Sequence, residues 1–166
     1  MPKTRKLALM AMFTAASLIV FVIEAQIPAP IPVPGVKLGL ANVVTLIAMV
    51  MLGRREAGLI LLVRIAMGSM FTGGVSAFIF SIAGGALAYA VMCLTLKLFP
   101  EKLLWVVSVL GAIAHNLGQL IAAIIITKTS SLMLYAPVLL ASAVVTGAFT
   151  GLAAMYLTQR LDKRVG

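Results

Sequence analysis

The sequence predicts an all-α, polytopic membrane bundle of six transmembrane helices, built as one integral membrane domain over residues 1–166. Two observations carry this reading. The composition is 63% hydrophobic and only 10% charged, with a mean hydropathy of +1.18, whereas a soluble domain is about half apolar and about a quarter charged. Apolar runs of helical length also recur from end to end, each closed by charges, Gly or Pro. The same composition excludes a soluble globular domain and a disordered chain, and the length leaves almost nothing for a domain outside the bilayer.

Helix 1 is expected over 7–23, after the basic Lys3, Arg5 and Lys6. It is too long for a signal-peptide core and is followed by Glu24 and Gln26 instead of a small-residue cleavage site. Pro28, Pro30, Pro32 and Pro34 then remove backbone donors at every second position, so the stretch from Ile27 to Gly35 is read as extended. Helix 2 is expected over 38–52, ended by Arg54, Arg55 and Glu56, and helix 3 over 57–71, broken by Thr72, Gly73 and Gly74. Helix 4 covers 76–96 and is closed by Lys97, Pro100, Glu101 and Lys102; helix 5 covers 103–127; helix 6 covers 132–157 and leads into a basic tail. No run alternates polar and apolar residues as a membrane strand does.

Net charge is +9, which in a soluble protein would suggest nucleic acid; here the bilayer accounts for it, and no nucleic-acid partner is expected. With six crossings and both termini cytoplasmic, Lys3, Arg5, Lys6, Arg54, Arg55, Lys97, Lys102, Arg160, Lys163 and Arg164 fall inside, and only Lys37 and Lys128 outside. The expected location is the cell membrane.

Polar residues inside the bundle are the functional candidates. At about 1.5 Å per residue, Arg64 lies about 12 Å and His115 about 18 Å from the inner face, with Gln119 one turn further out. Asn42, Glu24 and Lys37 belong to the outer half, so a pocket opening outward is expected, lined by Arg64, Asn42, His115, Asn116 and Gln119 with Glu24 and Lys37 at its edge. Each has a structural alternative: Glu24 and Lys37 as interface charges, Asn116 as an interhelical hydrogen bond. Arg64 at that depth requires a carboxylate, water or an anionic ligand, and Glu24 is the acidic residue within reach. In the inner half Gly84, Ala88, Gly147 and Gly151 are small residues suited to close helix packing.

What the chain lacks narrows the chemistry. It has no Walker loop, its one aspartate is Asp162 in the tail, and its single Cys93 and single His115 make no zinc set, so neither a cofactor nor a metal is expected and the chain is read as non-enzymatic.

The Pro-rich loop running into Lys37-Leu-Gly-Leu-Ala-Asn42, the Arg64-Ile-Ala-Met-Gly-Ser69 segment with Gly73-Gly74, the Phe80-Ser-Ile-Ala-Gly-Gly85 element and Ala114-His115-Asn116-Leu-Gly-Gln119 together resemble the Gx transporter family. Members of that family are also labelled heptaprenyl diphosphate synthase component I. The family is similar to the S components of energy-coupling factor transporters, six-helix proteins that capture vitamins. The resemblance implies a small-molecule substrate, vitamin-like or related to isoprenoid or quinone precursors, a coupling transmembrane subunit and ATPases as partners, and a coupling surface on helix 1 matching Ala11 and Ala15. The alternative is a non-catalytic membrane subunit of a prenyl diphosphate synthase or quinone-pathway complex.

Overall fold

The computed structural model describes residues 2–27, 37–72 and 74–165, and the side chains of these except for residue 72 and residues 161–165. The Pro28 to Pro34 repeat, Gly73 and the side chains of Asp162, Lys163 and Arg164 lie outside what is described. Six α-helices follow in order: α1 Lys3–Glu24, α2 Asn42–Met51, α3 Arg54–Thr72, α4 Gly74–Thr95, α5 Leu104–Thr127 and α6 Ala136–Val165. Short 3-10 turns, Glu101–Leu103 and Ser130–Tyr135, lead into α5 and α6. No strand occurs among the described residues.

Among the described residues, four helical stretches are long and apolar enough to cross a membrane: α1, α4, α5 with its leading turn, and α6 with its leading turn. Polarity is inverted relative to a soluble protein. Ile19, Met70, Phe71, Val75, Ile125 and Phe149 are exposed on the outside, whereas Arg64, His115, Asn116 and Gln119 are buried.

Several boundaries differ from the sequence reading. The second helix begins at Asn42 rather than at residue 38, because Gly39 takes a left-handed φ of +84° and the chain from Lys37 to Ala41 runs as a strap instead of a helical turn. At 10 residues, α2 covers only about half the hydrocarbon thickness. Arg54, Arg55 and Glu56 do not form a linker; they are the first turn of α3, and Gly53 at φ +102° makes the sharp junction. The last helix starts at Ala136, after its 3-10 turn, and runs on into the basic tail.

α2 stands inside the bundle and packs against all five other helices, with Val44 through Met49 buried. α5 lies between α4 and α6 at backbone contact distance. A Cβ on Gly118 would sit 2.7 Å from the Ala83 carbonyl oxygen, and one on Gly151 would sit 2.5 Å from the Trp105 Cα. The basic ends gather at one end of the molecule. Lys6 on α1 pairs with Glu56 on α3, and a cavity of about 360 Å³ is lined by Leu9, Leu52, Lys102 and Gln159, from α1, the α2–α3 junction, the turn before α5 and the end of α6.

Candidate functional site

Above the N-terminus of α2, away from that basic end, the bundle interior is polar. The strap Lys37–Ala41 descends into it, and its backbone donors are met by side chains from two helices. The Gly39 N–H donates to Glu24 Oε1, the Ala41 N–H to Glu24 Oε2 at 3.3 Å, and the Lys37 N–H to Gln119 Oε1 at 2.9 Å. Glu24 on α1 thus holds the strap and places its carboxylate at the positive end of α2. The Asn42 N–H continues the turn by donating to the Gly39 carbonyl at 3.0 Å.

Arg64 projects from α3 toward the same point and is 2% exposed. Its Nη2 donates to Asn42 Oδ1 at 3.3 Å, its guanidinium lies 5.6 Å from the Phe21 ring centroid, and its Nε has no partner among the described residues. The Lys37 ammonium sits 3.3 Å over the Phe21 ring, a cation–π contact that offsets part of its desolvation.

Glycines clear the space for these groups. A Cβ on Gly39 would meet His115 Cδ2 at 2.6 Å, and one on Gly84 would meet Gln119 Cγ at 2.7 Å and His115 Cε1 at 2.9 Å, so the imidazole is held between the strap and α4. Gly68, one turn beyond Arg64, makes room for the Phe21 ring in the same way.

Phe21, Glu24, Lys37, Gly39, Arg64, Ser81, His115 and Gln119 line one small cavity. About 10 Å³ of it admits a water-sized sphere, room for a single water. Besides Arg64 Nε, buried polar atoms without partners among the described residues include Asn42 Nδ2, Ser81 Oγ and Gln119 Nε2. Buried polar atoms in folded proteins are nearly always hydrogen-bonded, and a cluster of this kind suits a bound polar group.

Of the residues singled out in the sequence, the structure brings Arg64, Asn42, His115, Gln119, Glu24 and Lys37 together. Asn116 is not among them. Its Nδ2 donates to the Leu139 carbonyl at 2.9 Å and ties α5 to α6. Ala11 and Ala15 are exposed, on the side of α1 opposite the buried Ser17, Phe21 and Glu24. Phe21 and Ser81 were not singled out; Phe21 stands three residues before Glu24 and Ser81 three before Gly84, spacings that share a helix face.

Residues 13–157 match a family model described as heptaprenyl diphosphate synthase component I. The chain belongs to that family. No curated protein and no solved structure matches it. The matched span of this heptaprenyl diphosphate synthase component I family member runs from α1 into α6 and includes every residue of the polar cavity. Among the described residues, no group of three His, Cys, Asp or Glu side chains is placed to hold a metal ion.

Proposed function

We propose that the protein is the membrane-embedded substrate-binding subunit of a transporter for a small anionic molecule, energised by a separate ATPase module through a coupling membrane subunit. The observation that carries this reading is the small cavity at Arg64, where a buried guanidinium and several unused donors converge above the end of a half-length helix. Broken helices whose N-termini face a mid-membrane site are a recurrent way to hold anionic groups.

Six crossings follow if α2 and its strap together make one span and α3 another. α3 supports this by exposing Leu59, Leu62, Met70 and Phe71 along its length despite its charged first turn. The basic end then faces the cytoplasm with both termini, in the cell membrane, and the strap faces outward. In this arrangement the exposed Ala11 and Ala15 form the surface for the coupling subunit, because small side chains permit close helix approach.

The family description favours a second reading, in which the chain is a non-catalytic membrane component of a prenyl diphosphate synthase or a quinone-pathway complex. Affinity purification from native membranes separates the two. The transporter reading expects an ATPase-bearing partner that is lost with Ala11→Leu plus Ala15→Leu while the bundle stays folded. Co-purification of a soluble subunit with magnesium-dependent prenyl-chain elongation would overturn it.

A further inference from the structure

We propose that the ligand of the Arg64 cavity is a small, singly charged carboxylate. This rests on the site reading above and specifies its substrate class.

The charge balance comes first. Arg64 and Lys37 are the cations of the cavity and Glu24 is its carboxylate, so one positive charge remains in excess. No other acidic residue is at hand to cancel it. Glu56 pairs with Lys6, Glu101 lines the cavity at the opposite end, and Asp162 lies in the C-terminal segment. A singly charged anion neutralises the site. A phosphate or diphosphate dianion would leave a net negative charge in a low-dielectric interior, and a neutral ligand would leave the positive one, and uncompensated buried charge is costly.

The pattern of unmet hydrogen bonds agrees with the charge. Glu24 is taken up by strap N–H groups, Gln119 Oε1 by the Lys37 N–H and Asn42 Oδ1 by Arg64. What is left over is mostly donors: Arg64 Nε, Asn42 Nδ2, Gln119 Nε2 and the one N–H of a neutral His115 imidazole, against the other imidazole nitrogen as acceptor, with the Ser81 hydroxyl able to act as either. Donors therefore outnumber acceptors in the cavity. A carboxylate supplies two oxygens with about four lone-pair sites, and its fork matches the Nε and Nη edge of a guanidinium.

The test is isothermal titration of the full-length protein in detergent with acetate, propionate and benzoate, against benzamide, inorganic phosphate and diphosphate. A monocarboxylate is expected to bind one to one, at least about tenfold tighter than benzamide, phosphate or diphosphate. Arg64→Ala is expected to weaken it by about 30-fold or more, as loss of a buried charged partner does. Lys37→Met removes the excess charge while keeping the backbone N–H that Gln119 holds, and should shift preference from benzoate to benzamide. The assignment is overturned if no carboxylate binds, if diphosphate or benzamide binds as tightly, or if Lys37→Met leaves the preference unchanged. A non-carboxylate ligand that is lost in Arg64→Ala would overturn the charge class and leave the pocket standing. Binding indifferent to Arg64→Ala would overturn both.

Discussion

Replacing Arg64 by Met is expected to stabilise the ligand-free protein while abolishing ligand binding. The guanidinium is 2% exposed, and among the described residues it donates to Asn42 at 3.3 Å while Nε is unmet. Taking an ion out of water costs several kcal/mol even after relaxation; replacing a whole buried ion pair by apolar side chains is often stabilising by about 1–4 kcal/mol, and removing one partner is costly where it strands the other charge, which Glu24 escapes here because Lys37 lines the same cavity. Against that stand the lost bond, about 1.5–3 kcal/mol at ideal geometry and less at 3.3 Å, and the attraction to Glu24, which Lys37 partly replaces. The balance is a gain of about 1–2 kcal/mol, and in a chain of this length each kcal/mol moves Tm by about 2–4 °C. Thermal unfolding of purified, ligand-free wild type and Arg64→Met in the same detergent measures it. A fall in Tm of several degrees would refute the reasoning, because Arg64 would then be a structural cation whose spare donor awaits nothing.

Gly39→Ala combines a Cβ at φ +84° with a 2.6 Å clash against His115, and should cost about 2–4 kcal/mol; Gly74→Ala, at φ +65° in open space, should cost only about 1 kcal/mol, and the two Tm values test the difference. Asn116→Leu should lower stability by about 0.6–2 kcal/mol by removing its bond to Leu139, with ligand affinity unchanged in the same titration.

Hydropathy made the long helices legible, and α5 ends at Thr127 as the sequence suggests, with Lys128 in a left-handed cap. The start of the second helix was not legible, because the strap's backbone partners are Glu24 and Gln119, 15 residues before Gly39 and 82 after Lys37. Local preference around Leu38 says nothing of such contacts. Arg54, Arg55 and Glu56 read as a linker by charge, yet Gly53 alone turns the chain and the charges extend α3 toward the basic end. Within the site, Arg64, His115 and Gln119 stood out because polar residues are rare in these runs. Phe21 did not, since an aromatic in an apolar helix reads as packing until the Lys37 ammonium is found over its ring. Asn116 was grouped with His115 by adjacency, but neighbouring residues on a helix point about 100° apart, and only His115 faces the cavity.

The most direct measurement is mass spectrometry of small molecules retained by the full-length protein purified from its native membrane, run in parallel on wild type and Arg64→Met. A single carboxylate-bearing compound, near one per protein in the wild type and missing from the variant, is the expected result. Equal recovery of every small molecule from both proteins, or a wild type that retains none while remaining folded, would contradict a ligand site at Arg64.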